Sequence, residues 1–266
     1  LALANKFHEP LYDNTLELTQ ENILKELENI VTAFNAIETE DRAMPKVGIV
    51  GEIYVKYNDF SNNYVVQWLI DQGNEVVVPS LLEFFLGWFV TAGVQLETNI
   101  KRPNFLWLLA RILEPYTDSF LKKAHAVLHG FRYYRPHHSI REIAKNAAEV
   151  VSLNHQYGEG WLIAGETTTM VKHGITNVLC LQPFGCIANQ VVAKGVSQRM
   201  KETHPELNLL FLDLDAGVSE VNFFNRLFFF SERARQAAGI EHDSSERAAS
   251  AKTAERDVDY MVIERL

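Results

Sequence analysis

The chain has 266 residues, 25 basic and 34 acidic for a net charge of −9, and 47% of it is hydrophobic against 22% charged. So apolar a composition excludes an unfolded chain, and the length suffices for one or two domains with a sizeable core. The acidic balance speaks against a general binder of nucleic-acid phosphates, and two cysteines cannot make a secreted disulfide framework, so a reduced, cytoplasmic protein is expected.

Leu1 to Pro10 carries one Lys and no apolar core ahead of a cleavage site, so no secretory signal is read there. The chain opens without Met, which suggests a piece excised from a longer polypeptide. Thr19–Ile37 places Ile23, Leu24, Leu27, Ile30, Val31 and Phe34 at helical spacing behind a Thr19 N-cap. A helical N-terminal segment over residues 1–44 is expected, closed by the charged connector Glu38–Arg42 and by Pro45.

From Lys46 the period changes. Val47–Val50 is a short apolar strand ending at Gly51, followed by a polar loop, a helix from about Asn62 to Gln72, a Gly73-Asn74 stop and a second strand over Glu75–Val78. Short β-branched strands of this kind suit a parallel sheet covered on both faces. Helices are expected over Phe85–Ala92, Phe105–Gly130 and Ser139–Val151, punctuated by Pro103, Pro115 and Pro136. The most apolar run, Leu81–Val94, carries Glu83 and is too short to cross a bilayer, so no membrane contact is expected. Alternation then resumes: a helix over Trp161–Lys172, a strand over Asn177–Leu181, a helix over Cys186–Thr203, a strand over Leu207–Leu212 and a helix over Ser219–Ala237. The polar tail 241–266 reads as a solvated helix or as disorder, with an edge strand at Val258–Ile263. The expected fold is α/β: a Rossmann-like or flavodoxin-like, mostly parallel sheet in residues 45–240, with a large helical insertion at 81–157 between its second and third strands.

Parallel sheets gather ligands at the carboxyl ends of their strands. The loops expected there begin at Gly51, Pro79, Gln182 and Asp213, and they supply Glu52, Tyr54, Asn58, Gln182, Asp213 and Asp215 as candidate ligand-binding residues. Glu52 reads as ligand-facing or as a helix cap; Asp213 and Asp215 read as an orienting pair or as one cap and one solvated group. Cys186 follows Pro183 and Gly185 at the start of a helix, where the N-terminal dipole favours thiolate; the other reading is a small buried hydrophobe. Cys180, inside an apolar strand, reads as core. His125 and His129 sit four apart without the glutamate of a zinc-binding H-E-x-x-H helix and read as packing, while His137-His138 among arginines reads as a solvated basic loop. No phosphate-binding loop, no G-x-G-x-x-G after a strand and no nucleophile elbow is present.

At these same loops the stretches VGIVGEIYVKYNDFSNN (Val47–Asn63), GEGWLIAGE (Gly158–Glu166), LQPFGCIANQVVAKG (Leu181–Gly195) and LDLDAGVSEVNFFNRL (Leu212–Leu227) resemble the large CoA-substrate-specific activases, relatives of the activators of 2-hydroxyacyl-CoA dehydratases. The resemblance implies the dehydratase-like C-terminal part of such a protein. There an actin-like ATPase module drives low-potential electrons toward an iron–sulfur site and an acyl-CoA dehydratase partner. It implies Cys186 as one cluster ligand, with the remaining cysteines and the ATPase module N-terminal to Leu1, and a fragment inactive alone. Two readings compete: a small-molecule or acyl-CoA binding module across Glu52, Tyr54, Gln182 and Asp215, and a domain that docks a partner through the aromatic helices around Phe84–Phe89 and Phe223–Phe230.

Overall fold

The computed structural model describes residues 2–13, 17–40, 42–135, 138–215 and 217–240. The tail and its expected edge strand, and His137, lie outside the described residues. In chain order the elements are α1 (Ala2–Tyr12), α2 (Gln20–Asn35), β1 (Lys46–Gly51), α3 (Ile53–Tyr57), α4 (Val65–Asp71), β2 (Glu75–Val77), α5 (Leu81–Glu97), α6 (Phe105–Leu128), α7 (Ile140–Ala147) and α8 (Gly160–Lys172), then β3 (Asn177–Pro183), a π-helix (Ile187–Ala193), α9 (Ser197–Thr203), β4 (Asn208–Leu214) and α10 (Glu220–Ala237). They fall into two compact units, one from Leu1–Arg42 and Trp88–Ser139, the other from Ala43–Gly87 and Ile140–Leu266. The N-terminal helices therefore share a unit with most of the segment between β2 and α7, and the dividing line crosses α5 at Gly87.

Among its described residues, the first unit holds helices and no strand. Thr19 caps α2, its hydroxyl accepting from the Asn22 N–H at 3.2 Å, and Asn104 caps α6 by accepting from the Trp107 N–H at 2.9 Å. Pro115 does not punctuate the chain as expected; it lies inside the 24-residue α6. An interior proline costs about 3 kcal/mol, and the helix that carries it packs along α2. Asn35 ties the far end of the pair, donating to the Gly130 carbonyl at 2.7 Å and accepting from the Arg132 N–H at 3.0 Å. His125 and His129 pack against Tyr134, His125 Nδ1 lying 2.5 Å from its hydroxyl.

The second unit is an α/β fold on a four-stranded, all-parallel sheet in the order β2-β1-β3-β4. Alternation along the strands sorts their side chains between two faces. Val47 and Ile49 of β1, Leu179 and Leu181 of β3 and Leu212 of β4 join Val65, Leu69, Phe223, Leu227, Phe230 and Ala234 in one core, beneath α4 and α10. The opposite face of β1 and β3 meets α8, where Gly48 lets Met170 approach. Twelve of the thirteen residues of α8 are buried, so even a charged residue near its middle is cut off from water. Gly165 permits this packing, since a Cβ there would stand 2.8 Å from Ile143 of α7.

Two local expectations are corrected. The stretch after β1 is not an open loop: it forms α3, a five-residue helix. The single helix expected from Cys186 to Thr203 is a π-helix and then α9, with Lys194 N–H donating to Asn189 O at 2.9 Å, a five-residue step. Gly195, against which the Val191 carbonyl presses, marks the break between them.

Candidate functional site

In this strand order the chain leaves β1 toward β2 on one side and later reaches β3 on the other, so the switch point of the sheet lies between the carboxyl ends of β1 and β3. The register there is Gly51 opposite Leu181 and Pro183 opposite Leu214, and Glu52 N–H donates to Leu181 O at 3.0 Å. Gly51 has φ of 130°, and a Cβ would stand 1.9 Å from the Leu181 carbonyl oxygen, so only glycine lets the two strands close up before the chain turns into α3.

Glu52 stands at this rim, and its carboxylate is used locally: Oε2 accepts from the Val55 N–H at 3.0 Å as the N-cap of α3. A second carboxylate, from buried Glu159, accepts from the Ile53 N–H at 2.8 Å. Two acids thus satisfy the first turn of a helix too short to hold itself. Tyr54 follows, 62% exposed, and Asn58 spends its amide on the same turn, accepting from Ser61 N–H at 2.9 Å and donating to Tyr54 Oη at 3.3 Å.

Cys186 is half-buried at the start of the π-helix, on the rim next to the end of β3. Its sulfur accepts from Asn189 Nδ2 at 3.2 Å, and the oxygen of that same amide lies 3.7 Å from Cys180 Sγ. Cys180 and Asn189 are both fully buried, and burial pushes the Cys180 thiol up well above its ordinary range, so it keeps its proton. A third group completes this part of the rim. Asp213 Oδ1 accepts from Gln182 Nε2 at 2.6 Å and from Gln190 Nε2 at 2.5 Å, while Lys194 Nζ stands 3.7 Å from Oδ2. Gln182 is sealed from solvent, and its Oε1 has no partner among the described residues. Asp215 lies just past β4, exposed.

Beneath the rim sits a buried ionic cluster that the sequence reading did not identify. Lys56 of α3 donates to both carboxylate oxygens of Glu166, at the middle of α8. Burial is the largest single influence and works against the Lys56 charge, but Glu166, with Tyr57 and Glu83 beside it, together outweigh it, and the ammonium is held above its usual range. Glu83 joins the cluster: burial, with the Glu166 charge beside it, raises its carboxyl to about 8 against the pull of Lys56. Tyr57 donates to the Pro79 carbonyl at 2.8 Å, and burial pushes its phenol up to about 12. One signal was available in the sequence: a lone glutamate inside WLIAGETTTM, a run otherwise free of charge.

The structure therefore brings Glu52, Tyr54, Cys186, Asp213 and Asp215 to one edge of the sheet, while Gln182 lies below it and Asn58 is turned onto its own loop. In the aromatic helices named above, Phe223 and Phe230 are core, whereas Phe85 and Phe229 are exposed. Among the described residues, no helix is long and apolar enough to cross a membrane. No protein-family model, curated protein or solved structure matches the chain.

An iron–sulfur cluster is usually held by four thiolates. The chain has two cysteines, and one of them is a sealed, protonated thiol turned onto an amide oxygen. One half-buried sulfur remains, so these residues alone do not fit such a cluster.

Proposed function

We propose that this chain is the α/β part of an activase-like or dehydratase-like iron–sulfur protein, acting in low-potential electron transfer or in activation of a 2-hydroxyacyl-CoA dehydratase type of enzyme. On this reading Cys186 is one ligand of a cluster whose other ligands come from further polypeptide, and the chain by itself is inactive. The observation that carries the reading is the placement of Cys186: a half-buried sulfur at the switch point of a parallel sheet, facing an amide donor. The 2-1-3-4 strand order supports a flavodoxin-like sheet, and the four helices between β2 and β3 support the inserted helical region. A reduced, cytoplasmic setting agrees with both free thiols.

Anaerobic iron and sulfide reconstitution of the natural gene product, with and without Cys186→Ser, tests the reading. Loss of bound iron and sulfide in the variant is expected; equal content in both proteins removes Cys186 from the site.

A second reading, a partner-docking module, is favoured by the apolar groups around that sulfur. Phe184, Ile187 and Val191 are each more than 60% exposed, and so is Tyr54 on the same rim. It predicts that a photo-crosslinking residue placed at Phe184 captures a second polypeptide, and it fails if crosslinks stay within the chain.

A further inference from the structure

The amide of Asn189 faces two sulfurs at once, and the two ends of that amide are chemically opposite. Its oxygen can only accept and its nitrogen can only donate, so the neighbours decide which way it points. Cys180 Sγ is 3.7 Å from Oδ1, and Cys186 Sγ is 3.2 Å from Nδ2. Cys180 is locked in the middle of β3 and shielded completely from water, so its S–H has no solvent alternative and must find an acceptor inside the protein. The backbone of Asn189 is also pinned, its carbonyl accepting the five-residue step from Lys194.

We infer that Asn189 is a positioning residue for the sulfur of Cys186, and that the buried thiol of Cys180 fixes its orientation. The Cys180 S–H donates to Oδ1; that leaves Nδ2 no direction except toward Cys186, which it meets as a donor. The reversed amide would point an oxygen at the Cys186 sulfur and strand the Cys180 proton. Cys180 thus does more than fill the core, although it never reaches the rim. The inference rests on the reading of Cys186 as the chemically active sulfur of the rim, but it concerns the chain's own hydrogen bonds and is tested without iron.

The test uses the protein under reducing conditions, with folding of each variant checked by circular dichroism. In Cys186→Ser, Cys180 is the sole thiol, and its S–H stretch in the Raman spectrum is expected on the low-frequency, hydrogen-bonded side; adding Asn189→Leu moves it toward the free-thiol position. In protein labelled with ¹⁵N at asparagine, the Asn189 side-chain signal is expected to shift in Cys186→Ala and in Cys180→Ala, and to stay near its wild-type place in Cys180→Ser, which restores a donor. If Asn189→Leu does not fold, the Cys180 Ala/Ser pair decides alone. A free-thiol Raman band before any change at Asn189, or an Asn189 signal that ignores both cysteines, overturns the inference. Iron content in the reconstitution above is read separately, so failure of one proposal is distinguishable from failure of the other.

Discussion

Lys56 Nζ stands 3.1 and 3.2 Å from the two carboxylate oxygens of Glu166, and both side chains are almost wholly enclosed. The pair links α3, the first turn after β1, to the helix that covers the other face of the sheet. Removing one partner of such a pair strands the other charge in the interior, a loss of about 3–5 kcal/mol, whereas replacing both by apolar groups of similar size is often neutral. Lys56→Met is therefore expected to destabilise by that amount in urea melts, and Lys56→Met with Glu166→Leu by clearly less. A double variant as damaged as the sum of the two singles would show that the charges do not act as a pair.

Glu83 gives the protein a pH dependence with a defined sign. Burial raises its carboxyl from 4.5 to about 8, with the Glu166 charge adding to the shift and Lys56 opposing it. The folded protein holds a proton there that the unfolded chain releases above its ordinary carboxylate range. Stability from this group is therefore complete below pH 4.5 and is lost as pH rises toward about 8. The slope is at most about 1.4 kcal/mol per pH unit within that window. Glu83→Gln is expected to flatten the difference in urea midpoint between pH 5.5 and 8.5 relative to wild type (roughly the span of that window). Parallel curves for the two proteins would mean that Glu83 is ionised throughout.

The sheet was largely legible in the sequence because its strands are short, apolar and bounded by particular residues: Gly51 at the end of β1, Gly73-Asn74 ahead of β2, Pro183 at the end of β3. The edge that collects Glu52, Cys186 and Asp213 follows from the parallel direction of the strands, which the alternation of elements implies; the strand order itself is seen only in the structure. What stayed hidden depends on neighbours remote in sequence. Glu159 reaches α3 across more than a hundred residues, and Lys56 finds Glu166 over a similar span, so no local pattern marks either. The carboxylate of Glu52 looked equally suited to a ligand or to a cap, and the short helix behind it decided how the structure uses it. Likewise the helical period through Ile187, Val191 and Val192 gave no hint of a π-helix, which differs from an α-helix by one residue in the hydrogen-bond step.

Two glycines separate backbone necessity from mere tolerance. At Gly51 a methyl group would lie 1.9 Å from a backbone oxygen of β3, at a φ that side chains rarely adopt, and nothing soft is available to yield. Gly51→Ala is expected to abolish folding, read as loss of the cooperative urea transition. Gly93, within α5, has open space where its Cβ would go, and its replacement by Ala is expected to add about 0.5–1 kcal/mol by restricting the unfolded chain. A cooperative Gly51→Ala protein of normal stability would contradict the close approach of β1 to β3.

The two thiols are expected to differ in reactivity. Alkylation proceeds through thiolate and needs access. Cys180 has neither: it is fully buried at the centre of the sheet, and burial holds its thiol protonated. Cys186 is half-buried on the rim beside exposed Phe184 and Ile187. Iodoacetamide on the native, reduced protein should therefore modify one cysteine, and peptide mapping by mass spectrometry should place the label on Cys186. Cys180 should take label only once denaturant is added, at a rate that tracks global unfolding. Native labelling of Cys180 at a comparable rate would mean that β3 opens locally, and the amide of Asn189 could then no longer be held from that side.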